Sequence, residues 1–276
     1  MRIDAHQHYW QPARGDYDWM PMDNATLARP YHPRDLEATL RKHGIDRTVL
    51  VQAAATVEET EYMLGIADAS ETVAAVVGWV DFEQPAHRAH LERLRHHPKF
   101  AGVRPMIQDI PDVDWMLRDD VQWGFEALVD LDLTFDALGF PQHLKNFHTI
   151  LTRYTELRTV IDHCMKPQIR DHSEHTYSHW ADGMRALAED TRAVCKFSGL
   201  VTECDGWTLE ALRPYAEHLF EVFGPDRLMW GSDWPVCQLE ASYTDWIEAA
   251  EALTSGLPES DRSAIFGGTA QAFYRI

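Results

Sequence analysis

The sequence predicts an α/β protein of the TIM (β/α)8-barrel class, with residues 1–276 forming one domain. Three observations point there. The chain's 276 residues are close to the about 250 that eight βα units need. Short apolar runs alternate with amphipathic segments throughout. Connections after several of the apolar runs are long, whereas those after the amphipathic segments are short.

The apolar runs number eight: Arg2–Ala5, Thr48–Gln52, Val73–Val80, Ala101–Met106, Leu133–Asp136, Thr159–Asp162, Val194–Ser198 and Arg227–Trp230. Most are rich in Val and Ile and nearly continuous, as parallel strands covered by helices should be. The segments between them read as helices. Arg34–His43 follows Pro33, a favourable first-turn residue, and stops at Gly44. His143–Tyr154 sets Leu144, Phe147, Leu151 and Tyr154 on one stripe. Thr208–Phe223 opens on a capping hydroxyl, turns Leu209, Leu212, Leu219, Phe220 and Phe223 inward, and ends at Gly224. A doubly wound open sheet is the alternative, but no Gly-x-Gly-x-x-Gly follows the first run.

Long loops follow runs one, four, six and eight. The first, from Trp10 to His32, far exceeds the usual loop of about 4–6 residues. It carries Trp10, Tyr17, Trp19, Met20 and Pro21, which suit a pocket wall, a lid or a satellite hydrophobic cluster. In a barrel, long loops mark the C-terminal face, where ligands bind.

Composition narrows the function classes. Lys+Arg total 25 against 44 Asp+Glu, a net charge of -19. Such a surface repels phosphate backbones and anionic membranes, so neither nucleic acid nor membrane is an expected partner. The four cysteines, Cys164, Cys195, Cys204 and Cys237, form no C-x-x-C pair and read as reduced thiols. The opening Met1-Arg2-Ile3-Asp4-Ala5-His6 lacks a signal-peptide h-region, and a cytoplasmic location is expected. Oligomeric state, including a homo-oligomer, is left open.

The chemistry concentrates at strand ends. His6 and His8 close the first run; two residues apart on an extended chain, they share a face and suit two ligands of one metal or two donors to one oxygen. His163 ends run six and Asp233 follows run eight. A core histidine, or a turn aspartate before Pro235, would explain either alone. Four polar residues at one mouth are harder to explain as packing. Arg104 and Asp136, ending runs four and five, suit an oxygen clamp or an ion pair with each other. Lys166 and Lys196 are further candidates. Trp10 and Trp234 serve packing or offer flat faces to a sugar ring. His87, His90, His96, His97, His172, His175 and His179 read as solvated surface residues.

The pattern Ile3-Asp4-Ala5-His6-Gln7-His8, Asp162-His163 and Gly231-Ser232-Asp233-Trp234-Pro235 resembles the amidohydrolase superfamily, in particular its amidohydrolase-2 group. Gly102-Val103-Arg104-Pro105 with Gln108-Asp109, then Asp162-His163-Cys164-Met165-Lys166-Pro167, then Lys196-Phe197-Ser198-Gly199-Leu200-Val201-Thr202-Glu203, are similar to sugar lactonases of the L-fuconolactonase type. The resemblance implies a distorted TIM barrel that opens a small-molecule sugar lactone to its aldonic acid. Residue by residue it carries over His6 and His8 as the His-x-His after strand one, His163 as the strand-six histidine and Asp233 as the strand-eight aspartate. In the mechanism expected from this set, Asp233 is the base and His163 and Arg104 are its catalytic partners. His6, His8, Trp10, Asp136 and Trp234 would contact substrate. One divalent metal, zinc above all, would sit on His6, His8, His163 and Asp233. The bridging Lys and strand-five His of two-metal members are replaced by Arg104 and Asp136, which argues against a two-metal centre. Metal-independent lactonases of this kind leave a metal-free site open. A metal-dependent decarboxylase or C–C hydrolase of the same superfamily, and a non-catalytic sugar-binding barrel, are the alternatives.

Overall fold

A computed structural model describes all residues from Met1 to Ile276. Eight parallel strands pair in sequence order. They are β1 (Ile3–Gln7), β2 (Arg47–Val51), β3 (Val73–Gly78), β4 (Phe100–Val103), β5 (Thr134–Ala137), β6 (Arg158–Ile161), β7 (Val194–Phe197) and β8 (Leu228–Trp230). The expected runs fall on these strands to within three residues at either end. Closure comes just beyond β8. There the Asp233 N–H donates to the His6 carbonyl at 2.8 Å, and the His8 N–H donates to the Trp234 carbonyl at 2.7 Å. The seam of the cylinder is therefore stitched by the segments that carry His6, His8 and Asp233.

Eight helices form the outer layer: α1 (Pro33–Lys42), α2 (Val57–Ala69), α3 (Arg88–Leu94), α4 (Gln122–Asp130), α5 (Leu144–Arg153), α6 (Glu174–Asp190), α7 (Leu209–Phe223) and α8 (Tyr243–Leu253). Hydroxyl caps start four of them: Thr56, Ser173, Thr208 and Ser242 each accept an N–H of the first turn. Two short helices, α9 (Glu259–Ser263) and α10 (Thr269–Tyr274), finish the chain. Strand residues alternate between two cores. Leu50, Val76, Val103, Phe135, Ile161, Cys195, Phe197 and Trp230 pack outward against the helices. Ile3, Ala5, Val49, Val51, Ala75, Val77, Val160 and Met229 fill the barrel, and Ala270 and Tyr274 of α10 plug its floor. All four cysteines are free and buried. No helix is long and apolar enough to cross a membrane.

Candidate active site

Above the apolar floor the barrel interior turns polar. Lys196 of β7 is fully buried, its Nζ 2.5 Å from Asp136 Oδ2, 3.0 Å from Asp162 Oδ1 and 3.1 Å from His6 Nδ1. The Tyr274 hydroxyl donates to the same Asp136 oxygen at 2.8 Å from below. Arg104 adds a second cation: its Nη1 lies 3.2 Å from Asp162 Oδ2 and 3.3 Å from His6 Nε2, while Nη2 donates to the Gln52 carbonyl. Two cations and two carboxylates thus balance in a layer that burial would otherwise penalise. Burial raises the Asp136 pKa, to about 6, against the pull of Lys196. Asp162 goes the other way: Lys196 and His6 outweigh its burial and hold it well below the usual carboxylate range.

Three irregularities of the backbone aim the next layer. In β1 the register slips between the Asp4–Thr48 and Gln7–Leu50 pairs, a bulge that lets His6 follow Ala5 inward. After β6 the chain takes a left-handed turn, with φ of 49° at His163, 52° at Cys164, 58° at Met165 and 46° at Lys166. Asp162 and His163, neighbours in sequence, consequently both face the barrel axis. After β8, Asp233 adopts φ 55°. Asp4 braces this segment, accepting the Ser232 N–H at 2.8 Å and the Tyr243 hydroxyl at 3.2 Å.

The outcome is three imidazoles gathered around the Asp233 carboxylate. Asp233 Oδ1 is 3.2 Å from His8 Nε2, 3.7 Å from His6 Nε2 and 3.8 Å from His163 Nε2, and the His6 and His8 Nε2 atoms are 3.2 Å apart. His8 Nδ1 faces the Val51 carbonyl at 2.8 Å, which can only accept, so that nitrogen carries a proton. His163 Nδ1 is held by the Ser198 hydroxyl at 3.0 Å. Gly199, at φ 72°, leaves space for the ring; a Cβ there would stand 2.8 Å from that of His163. Burial lowers the His163 pKa to about 4, and burial with Lys196 lowers that of His6. Burial alone would raise the pKa of Asp233, but His163, the His8 hydrogen bond and His6 outweigh it, so the carboxylate stays ionised.

This cluster opens into a cavity of about 330 Å³. His8, Arg104, His163 and Asp233 line it, together with Trp10 and Trp19 of the first loop and Met106, Gln108, Asp109, Leu138, Lys166 and Val236. The long loop is a fixed wall: the Trp10 indole donates to the Leu27 and Arg29 carbonyls at 3.1 and 3.0 Å, and Trp19 donates to Ala53 at 2.5 Å. His6 is fully buried beneath the cavity. Two expected substrate contacts need correction. Asp136 lies within the polar layer, tied to Lys196 and Tyr274, and does not line the cavity. Trp234 packs edge-on against Tyr9 and Tyr31, away from it. Arg104 pairs with Asp162 in place of Asp136. Asp162, Ser198, Gln108 and Asp109 belong to the assembly without having been singled out. A carboxylate next to a strand-end histidine was the signal for Asp162.

The donor set suits a metal. Asp233 Oδ1, His8 Nε2 and His6 Nε2 lie 3.2–3.7 Å from one another, near the roughly 3.3 Å edge of a tetrahedron with ligand distances of about 2.0–2.1 Å, and His163 Nε2 stands 3.8 Å from the same Asp233 oxygen. With Nδ1 protonated, His8 Nε2 faces the Asp233 carboxylate lone pair to lone pair unless a proton or a metal ion lies between them.

Comparison with known proteins bears on this geometry directly. The amidohydrolase family model matches residues 3–276. The chain belongs to the amidohydrolase family. Among curated amidohydrolase relatives, it is 41% identical to an L-fucono-1,5-lactonase of Burkholderia ambifaria over 280 residues, covering 100% of this chain and 96% of that one. It is 36% identical to an L-fucono-1,5-lactonase of Burkholderia multivorans over 286 residues, with the same coverage of 100% and 96%. A crystal structure of a Burkholderia multivorans amidohydrolase with bound zinc superposes with a TM-score of 0.93 at 34% identity, covering 100% of this chain and 99% of that one.

Proposed function

We propose that this amidohydrolase hydrolyses a neutral sugar 1,5-lactone to its aldonic acid, with L-fucono-1,5-lactone as the reference substrate. One observation carries the reading: the Asp233 carboxylate stands at a cavity of monosaccharide size with three imidazoles around it and the Arg104 guanidinium in the same lining. The two lactonase relatives support the substrate class.

A lactone is a cyclic ester, and its hydrolysis needs an activated water and a stabilised oxyanion. Asp233 takes a proton from water as the oxygen adds to the lactone carbonyl. The developing negative charge falls to Arg104 and the imidazole of His163. When the tetrahedral adduct collapses, the ring C–O bond breaks, and the proton held by Asp233 passes to the departing ring oxygen. Trp10 and Trp19 offer flat apolar faces to the ring carbons, and Gln108 and Asp109 offer partners to its hydroxyls. Lys166, which also lines the cavity, can meet the carboxylate of the product. A divalent metal such as zinc, held by His6, His8 and Asp233 with His163 beside them, would supply Lewis-acid polarisation of the carbonyl or of the bound water when present.

The test follows acid release from L-fucono-1,5-lactone with a pH indicator, above the spontaneous rate, with protein as isolated, chelator-treated and zinc-loaded. Turnover above background in any of these supports the reading, and no turnover in all of them refutes it. Elemental analysis of the same samples separates a metal-dependent enzyme from one that needs none.

A further inference from the structure

A second cavity lies beside the first and is larger, about 670 Å³ against 330 Å³. The two share Trp19, Met106 and Asp109 as a common wall. A ligand seated in the first would therefore border the second along Trp19, Met106 and Asp109. No step of the hydrolysis above uses this second space.

Its lining combines two chemistries. Trp19, Trp79, Phe82 and Trp115 supply aromatic surface, with Trp19 38% exposed. Every ionisable group among the lining residues is acidic: Asp16, Asp18, Asp81, Glu83 and Asp109. Some of these oxygens are used within the protein. Asp81 accepts the Glu83 N–H and the Gln84 amide, each at 2.8 Å, and Glu83 Oε1 accepts from Trp115 at 3.1 Å and Arg118 at 2.8 Å. Others are not. Asp16 Oδ2 accepts from Arg14 and Thr56, at 2.7 and 3.3 Å, and its Oδ1 is buried, whereas the side-chain oxygens of Asp18 and Asp109 accept no hydrogen bond within the protein.

Acceptor-only oxygens beside flat apolar faces select a ligand rich in O–H donors that also has a C–H face to stack. Five carboxylates without a lining cation turn away anions, phosphorylated sugars and the aldonate product among them. A neutral sugar unit meets every one of these conditions. We propose that the second cavity is a glycosyl subsite, seating a neutral sugar joined through a ring hydroxyl to the lactone in the first cavity, with Trp19, Met106 and Asp109 flanking the junction of the two units. The proposal rests on the lactonase reading for the occupant of the first cavity. The natural substrate class then widens from monosaccharide lactones to the lactones of neutral disaccharides.

The experiment compares L-fucono-1,5-lactone with its three derivatives bearing a β-D-glucosyl group on different ring hydroxyls. At least one derivative should show kcat/KM about tenfold or more above the parent, since binding energy from a remote unit can be used at the reacting carbon. Trp79→Ala and Asp18→Asn, which alter the second cavity alone, should erase that gain and leave the parent lactone unchanged. No derivative exceeding the parent, or a gain that survives both variants, overturns the proposal. Calorimetric titration with methyl β-cellobioside gives a second readout that needs no turnover. Binding weakened about tenfold by Trp79→Ala supports the subsite, and no binding to the unaltered protein overturns it. Binding without hydrolysis of the parent lactone refutes the lactonase reading while upholding the subsite.

Discussion

Replacing Asp233 by Asn isolates the proton-accepting step. The change keeps the side chain's size, and Asn tolerates the φ of 55° at this position better than most residues. The closing bond from the residue 233 N–H to the His6 carbonyl, 2.8 Å in the parent, needs only the backbone. What vanishes is the anionic oxygen that lies 3.2 Å from His8 Nε2, 3.7 Å from His6 Nε2 and 3.8 Å from His163 Nε2. A positioned general base contributes about 10²–10⁴ in rate, or roughly 3–5 kcal/mol of barrier. Asp233→Asn should therefore lose two to four orders of magnitude in kcat/KM, roughly, while thermal unfolding stays close to that of the parent. The assay is indicator-monitored acid release from L-fucono-1,5-lactone, corrected for spontaneous opening, with circular dichroism on the same samples. A kcat/KM within about threefold of the parent in a folded variant would remove Asp233 from the mechanism.

Lys196→Met leaves Asp136 and Asp162 buried without their shared cation and should cost about 3–5 kcal/mol in chemical denaturation; a loss below about 1 kcal/mol would show that the network holds without it. Gly199→Ala places a Cβ 2.8 Å from that of His163 at a backbone φ of 72°, and kcat/KM should fall about tenfold to a hundredfold as the imidazole is displaced; parent-like kinetics would mean that the ring has room to spare. His163, with its native pKa lowered by burial to about 4 from an ordinary 6.5, takes up a proton more readily unfolded than folded, so its contribution to stability is present above pH 6.5 and is lost as pH falls through 4. Asp4 and Asp136, raised by burial to about 6, oppose this trend. The pH dependence of the difference between parent and His163→Asn isolates it, and that difference should shrink by on the order of 3 kcal/mol between pH 7 and pH 4; a flat difference would count against the buried neutral imidazole.

The barrel was legible because it is written in a pattern that repeats. Runs such as Thr48–Gln52 and Val73–Val80 are apolar on both faces, which only a strand covered by helices can use. The site was legible at those strand ends where a polar residue interrupts such a run: His6, His8, Arg104, His163 and Asp233 all reach the central cluster or its rim. Asp136 met the same criterion and misled, because a strand-end position does not say how deep in the cylinder a side chain lies. Only the neighbouring strands reveal that Lys196 and the C-terminal Tyr274 enclose it. Trp234 misled differently. It follows Asp233 directly, but the backbone turns there, and the ring goes to Tyr9 and Tyr31. Lys196 was visible as a charge inside Val194-Cys195-Lys196-Phe197, yet its function depends on three partners from distant strands.

What the sequence hid most completely is how the backbone aims the cluster. A regular strand sends neighbouring residues to opposite faces, so a barrel with only regular strands could present Asp162 or His163 inward, but not both. The left-handed turn from His163 to Lys166 removes that restriction, and the bulge in β1 does the same for Ala5 and His6. Neither uses a glycine or proline at the turning residues, so neither leaves a mark that composition or periodicity could reveal. The left-handed turn is costly, at about 1–2 kcal/mol for each non-glycine residue, and surrounding contacts must hold it. The Trp180 indole donates to the Cys164 carbonyl at 2.7 Å, the Cys164 thiol donates to the Lys196 carbonyl at 3.1 Å, and the Lys166 N–H closes back on the His163 carbonyl at 2.8 Å. The first two of these bonds come from α6 and β7, so the packing of the barrel wall sustains the strain. Trp180, which touches none of the reacting groups, thereby governs where the His163 imidazole stands, and the position of that ring is a property of the whole barrel wall.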